Sequence, residues 1–513
     1  MKKSFIGKKM VVFVLVISIC ISVLAGCSKK SDSGAGSDTT KQVNLVMYLW
    51  GSAGVDNKFA MDELNKKLKA KINATLEIKY IPWDAVTTKY PLILASGEPY
   101  DMIYTSSAAN PNYFSLSEKG SFKDLTTLLP KYAPKTWAKI SQNSWEDTKY
   151  KGKIYSVPSA YSEYIPKGLV YRGDLLKKYG MQTISSIDDM EKYYDNVLKN
   201  EKGMIPWDAN SSNSNDLYGM FTESTSTWIT APGIDLSSMY LVAKSKSDIT
   251  DIFDPAFTDE FSTFAVKMKQ WADKGYWSQD VLSTKKDPVA AFNNATDASY
   301  FHHAQGFVGG YGGLIKALPN SDPQFFGFGE ASKKVIKTRT MQNGTSISAN
   351  SKNPERSLMM LDLLMNDKEI YDLFQYGVKG RNYDLDSSGK RITPANFDDK
   401  KSAYGQSAWS TRTDEFEIQL ATDYSGRTDM NKKYDDYAVK DPYSNFNFDS
   451  KNVAAQIAAV TQVNATYGVP ILFGKAGDAK KAVEAYRSKL KVAGIDQITA
   501  ELKKQLKDYK PAK

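Results

Sequence analysis

Cysteine and histidine are nearly absent from this chain: two of each in 513 residues. Cys20 and Cys27 both lie near the N-terminus, and His302 and His303 are adjacent. The body therefore has no cysteine cluster for structural zinc and no disulfide framework. An H-E-x-x-H metalloprotease is excluded, and a catalytic triad would have to use one of two neighbouring histidines. Long apolar runs are also lacking. Mean hydropathy is −0.44 and one run stands out, at the N-terminus, which excludes a polytopic membrane protein. No excess of one charge persists either. The net charge of +9 falls to +5 without the four lysines ahead of Cys27, and the remaining lysines are interspersed with acids. A nucleic-acid-binding stripe is not expected. What is present is ordinary for a globular protein, 42% hydrophobic and 24% charged residues, which excludes a disordered chain. The length suggests roughly two to four domains. Aromatic residues are plentiful, at 12%.

Residues 1–26 read as a lipoprotein signal peptide. Lys2, Lys3, Lys8 and Lys9 form a basic start, and an apolar stretch runs from Met10 to Leu24. It falls short of the roughly 20 residues a membrane span needs and suits a signal-peptide core. Leu24-Ala-Gly-Cys27 matches the bacterial lipobox. Cleavage would leave Cys27 as a lipidated N-terminus, holding the protein on the extracellular face of the cytoplasmic membrane. The alternative is a plain secretory signal cleaved nearby. Residues 27–41, rich in Ser, Gly, Asp and Lys, read as the lipidated cysteine and a flexible tether.

Beyond the tether, the apolar run 42–50 reads as a buried strand ended by Gly51-Ser52. Residues 56–71 carry Phe59, Leu64 and Leu68 at helical spacing. A strand at 75–81, a helix near 84–96 and a strand at 100–105 follow. This alternation predicts an α/β domain with a mainly parallel sheet, whose ligands bind at the carboxyl ends of the strands. Trp50, Gly51 and Ser52, with Tyr104, Thr105 and Ser106, are thereby placed at a cleft. Asn353-Pro354 starts a helix expected to run to Tyr376 and stop at Gly377. Two Lys-rich helices separated by Gly494 close the chain.

Several segments together resemble the extracellular solute-binding lipoproteins of ABC importers, the sugar-type family 1 group of Gram-positive bacteria. Ala95-Ser-Gly-Glu-Pro-Tyr-Asp101 looks like that family's strand entry, and Gly120-Ser-Phe-Lys-Asp-Leu-Thr126 like its turn and helix. Gly152-Lys-Ile-Tyr-Ser-Val-Pro158 is similar to the strand before its hinge, with Ser156 where glycine is commoner. Leu169-Val-Tyr-Arg172, Asn353-Pro-Glu-Arg356 and Ala493-Gly-Ile-Asp496 match in the same order. The resemblance implies a two-lobe, periplasmic-binding-protein-like α/β fold of type II with a hinge between the lobes. It places 42–159 and about 340–385 in lobe 1, and 160–335 and about 386–513 in lobe 2. It further implies a sugar-transport protein that captures a carbohydrate, an oligosaccharide above all, and delivers it to an ABC permease. Palmitate on Cys27, a monomeric state, no cofactor, no metal and no catalysis go with that reading. A lipid-anchored glycosidase and a peptide-binding protein are the alternatives.

Sugars offer apolar C–H faces to aromatic rings and hydroxyls to polar side chains. The candidate ligand residues are Trp50, Ser52, Tyr104 and Ser106 at strand ends, and Tyr161 and Glu163 at the first hinge. Trp228 is a candidate platform in lobe 2, Asn343 stands at the return to lobe 1, and Tyr383 and Trp409 complete the set, with Arg381 beside them. His302-His303 reads as a strand end. Asp384, Asp386 and Ser388 imitate a calcium loop, but its twelfth position is Ala395 where a bidentate Glu is required, so a hairpin turn is expected there.

Overall fold

The computed structural model describes residues 40–509, apart from 110, 225–226, 232–233, 235 and 237. The signal peptide, Cys27 and nearly all of the tether lie outside the described residues.

The first lobe is built on a five-stranded sheet. Its strands are Val43–Trp50 (β1), Ala74–Ile81 (β2), Met102–Thr105 (β3), Ser156–Pro158 (β4) and Gly344–Ile347 (β5), in the spatial order β2-β1-β3-β5-β4. β1 pairs in parallel with β2 and β3, whereas β5 runs antiparallel to β3 and β4. The sheet is therefore mixed, and it is completed only after the chain has visited the other lobe. Successive side chains of a strand point to opposite faces, and β1 uses both. Leu45, Met47 and Leu49 pack with Leu64, Leu68 and Leu361, while Tyr48 packs with Tyr90, Tyr100 and Ile103. Helices thus cover both faces, as in open α/β sheets.

The second lobe holds the largest core. Its central strand, Lys167–Arg172, lies between Ser299–His303 and Pro323–Gly327, antiparallel to both. The helices Ile187–Asn200, Asp259–Lys274, Ala479–Ala493 and Ile495–Lys507 contribute to this core. The two closing helices lie where the sequence predicts them. Gly494 between them has φ +99°, a conformation that glycine adopts at low cost.

Three expectations change. The first sheet, expected to be mainly parallel, is mixed, because β5 returns to it from the other lobe and runs antiparallel to both its neighbours. The helix expected from Pro354 to Tyr376 is two helices, Pro354–Asn366 and Lys368–Tyr376. Asp367 takes an extended conformation between them, accepts from the Ile370 amide at 3.2 Å, and pairs with Lys71 at 3.0 Å. A capping carboxylate competes with the helix for backbone donors. Residues after about 385 were also expected to belong wholly to lobe 2. Instead Ala408 sits in the first-lobe core, and Phe416 and Ile418 pack on Tyr371, Tyr376 and Tyr383. Met430 and Tyr434 return to the second-lobe core. Asp384–Leu385 and Arg391–Ile392 form the expected hairpin.

Candidate ligand-binding cleft

The C-terminal edge of the first sheet carries a group of aromatic rings. Trp50 ends β1, and Gly51 follows with φ +113°. A side chain there would lie 2.4 Å from Ser407 Oγ, so glycine lets the chain turn close beneath residue 407. The Trp50 ring lies 4.8 Å from Tyr104, 5.4 Å from Tyr90 and 5.9 Å from Trp83. Trp409 lies 5.4 Å from Trp83 and 6.2 Å from Tyr104. Trp50 and Trp409 are half-buried and Trp83 is 58% exposed. The Trp50 indole N–H has no hydrogen-bond partner among the described residues.

Trp83 is absent from the residues chosen by sequence. The register held the signal: Ile81 pairs with Trp50, so a tryptophan two residues past Ile81 falls at the same sheet edge.

A polar chain leads from these rings to the lobe crossings. Tyr104 Oη donates to Asn343 Oδ1 at 2.8 Å, and Asn343 Nδ2 donates to Glu163 Oε1 at 2.9 Å. Thr338 Oγ1 donates to the Glu163 carbonyl at 2.6 Å. Burial pushes the Glu163 carboxyl above its usual range, against the pull of Arg412, Asn343 and Arg427. The Arg412 guanidinium lies 3.6 Å from the Tyr161 ring centre and pairs with Glu417 at 2.6 Å. Arg427 donates to the Tyr161 hydroxyl. The three chain crossings, near 159–166, 337–343 and 412–427, are thereby tied together. A cavity of about 410 Å³ beside them is lined by Tyr161, Glu163 and Asn343.

The structure thus brings Trp50, Tyr104 and Trp409 together, and joins them through Asn343 to Glu163, beside Tyr161. Ser52 is exposed on the turn after β1. Ser106 is buried, and its hydroxyl accepts from the Ala108 amide at 3.0 Å, a turn-forming contact. Tyr383 departs from expectation. It is 7% exposed and packs on Tyr376 in a separate small core, because the hairpin after it folds onto the helix Lys368–Tyr376. Arg381 pairs through two contacts with Asp56, at 2.7 and 2.8 Å.

Trp228 stands apart in the second lobe, edge-to-face with Phe221 and Phe253. It lines a cavity of about 230 Å³ with Glu223 and Lys334. Ala108 and Gln342 reach the same cavity from the first lobe and the second crossing. His303 caps the helix Ala304–Ala317 by accepting from the Gly306 amide at 3.1 Å. Among the described residues no group of three or more His, Cys, Asp or Glu could hold a metal ion. Nor is any described helix long and apolar enough to cross a membrane.

Comparison with known proteins agrees with this architecture. The family model of bacterial extracellular solute-binding proteins matches residues 52–369, and a domain of unknown function matches 442–511. A carbohydrate ABC transporter substrate-binding protein of Streptococcus pneumoniae is 24% identical over 99% of this chain and 98% of its own. Lipoprotein LipO of Bacillus subtilis is 22% identical over 72% and 73%. The crystal structure of the S. pneumoniae N-glycan transport solute-binding protein NgtS superposes with TM-score 0.75 at 22% identity, covering 91% of this chain and 99% of that one. Its complexes with Man1GlcNAc and Man5GlcNAc, 21% and 22% identical, give 0.68 over 90% and 98%, and 0.65 over 91% and 100%.

Proposed function

The chain belongs to the bacterial extracellular solute-binding proteins, and on that premise we propose that it captures an oligosaccharide between its lobes and delivers it to the permease of an ABC importer. The observation that carries the ligand class is the exposed Trp83 grouped with Trp409, Trp50 and Tyr104 at the sheet edge. Aromatic faces that stay open to water suit the C–H faces of sugar rings. The names of the S. pneumoniae relatives support the same class.

In this reading Trp50, Trp83, Tyr104 and Trp409 form the first-lobe platform. Asn343, Glu163 and Tyr161 transmit ligand contact to the crossings, whose bending closes the cleft. Ser52 lies at the mouth, and Ser106 shapes the turn after β3. Lobe 1 comprises 42–159 with about 340–420, and lobe 2 comprises 160–335 with about 421–509. Residues 1–26 are removed as a signal peptide, and palmitate and diacylglycerol on Cys27 hold a monomer on the outer face of a Gram-positive membrane. The LipO likeness supports the anchor. The protein binds without turnover and without a cofactor.

Titration calorimetry of the mature protein with neutral oligosaccharides, peptides and aryl-glycosides tests this. Saturable binding of an oligosaccharide is expected. Binding of peptides alone, or hydrolysis of a glycoside, overturns it.

A further inference from the structure

The smaller cavity has one wall that its own contacts do not account for. Glu223 lies in the last turn of the helix Ser214–Ser224 and faces this space, half-buried, with Trp228. Its backbone carbonyl accepts from Ser332. Its carboxyl accepts from the Lys167 backbone amide and feels the charges of Lys167 and Lys334, with no side-chain hydrogen bond to it among the described residues. The cations around it are engaged elsewhere. Lys334 Nζ donates to the Trp228 carbonyl at 2.6 Å. Lys167 Nζ donates to the Asn215 carbonyl at 3.1 Å and pairs with Asp216 at 3.4 Å. A carboxyl group enclosed by protein with one backbone donor keeps lone pairs unmet, which costs stability, and a ligand that supplies further donors reduces that cost.

We infer that Glu223 and Trp228 form a second-lobe subsite for one neutral sugar ring of the captured oligosaccharide, the indole taking the ring's C–H face and the carboxylate accepting two neighbouring hydroxyls. This rests on the carbohydrate reading above. The chemistry selects a neutral ring. An anionic sugar would meet the carboxylate, and an ammonium would meet Lys334 and Lys167. A carboxylate offers two oxygens for paired acceptance. The volume of about 230 Å³ is below the roughly 300–1,000 Å³ typical of a whole drug-sized ligand, so the space fits one ring of a longer chain. Ala108 and Gln342 at its rim connect it to the aromatic edge. Ala108 follows β3 closely, and the Gln342 carbonyl lies 3.4 Å from Tyr104 Oη.

The subsite carries a pH signature. Burial raises the Glu223 carboxyl to about 7, opposed by Lys167 and Lys334 and assisted by Asp216. Tyr240 and Tyr434 are the other titratable groups coupled to it, and burial pushes both phenols upward, so they stay neutral in this range. The accepting form is the carboxylate, which is present above about pH 7 and lost below it.

The test is calorimetry with a ladder from Man1GlcNAc to Man5GlcNAc, at about pH 8 and about pH 6. Wild-type affinity is expected to fall several-fold at the lower pH. Glu223→Gln should bind about tenfold more weakly at the higher pH and lose the pH dependence. Trp228→Ala should weaken binding while keeping that dependence. Thermal melts of the unliganded variants check folding. If either variant fails to fold, the pH dependence of the wild type decides: a flat profile overturns the subsite. If wild type binds a sugar and both folded variants bind it equally well, the subsite is wrong and the carbohydrate reading stands. If wild type binds no member of the ladder and no other neutral oligosaccharide, both fall.

Discussion

The nine tryptophans fall into contrasting regions. Trp207, Trp271 and Trp277, in the second lobe, are at most 1% exposed, and Trp207 stacks on Phe301 at 4.0 Å. Trp50, Trp83 and Trp409, at the first-lobe edge, keep part of their surface open, and Trp83 keeps more than half. The side chains are identical and their surroundings differ. The first set fills space between helices and strands, where each ring is enclosed from all sides. The second set stands at the end of a sheet, where strands stop and the rings cover one another only in part. Residue type therefore says little about a ligand role here, and position relative to a strand end says much.

The largest effect that would sharpen this contrast is in the enclosed set. Trp207→Ala is expected to cost about 3–5 kcal/mol of stability, read by urea or thermal denaturation, with ligand affinity retained by the molecules that stay folded. A loss under about 1 kcal/mol would break the contrast.

Next comes a buried acid of the same lobe. Asp297 is 1% exposed, and its Oδ2 accepts from the Asp208 amide at 2.8 Å. Burial raises its carboxyl to about 7. The folded state therefore retains a proton that the unfolded chain releases near the usual carboxylate range. Stability attributable to this group falls as pH rises from about 4 to about 7. Asp297→Asn keeps an accepting oxygen and should flatten that decline in melting temperature. An unchanged profile would show that the acid is ionised in the fold.

At the open edge the effects move from stability to binding. Trp83→Ala should leave stability within about 0.5 kcal/mol while lowering oligosaccharide affinity about tenfold, the equivalent of about 1.4 kcal/mol of lost stacking. Equal affinity would remove Trp83 from the site. The smallest effect is expected at Tyr383→Phe. That ring is enclosed by Tyr376 and its neighbours, so affinity should be unchanged and stability shifted by no more than about 0.5 kcal/mol. A clear loss of affinity would return Tyr383 to the ligand set.

Much of this was legible before any coordinates. The strand–helix alternation from residue 42 onward, the turn glycines and the C-terminal helix pair all rest on local periodicity and backbone chemistry, and each forms where it was read. The α/β pattern put Trp50 and Tyr104 at one edge of the sheet, and their rings lie beside each other there. The place of Trp83 at this edge was not legible, because only the β1–β2 register makes it Trp50's neighbour. The burial of Tyr383 was not legible, because a hairpin that folds back leaves no periodic trace. The helix break at Asp367 was hidden by apolar residues that kept helical spacing on both sides of it.

The sequence by itself determined the class of the fold and the order of its elements, since these depend on patterns spanning a few to a few tens of residues. The tertiary structure alone decided which aromatics remain open and which become core. It alone joined Tyr104 to Asn343 across 239 residues of chain, and Asn57 to Gly405 across 348. It alone left the Glu223 carboxyl facing a cavity with its charged neighbours occupied elsewhere. Such pairings arise when distant segments pack together, and what any residue then touches is set by the whole chain's compaction, which no local spacing encodes.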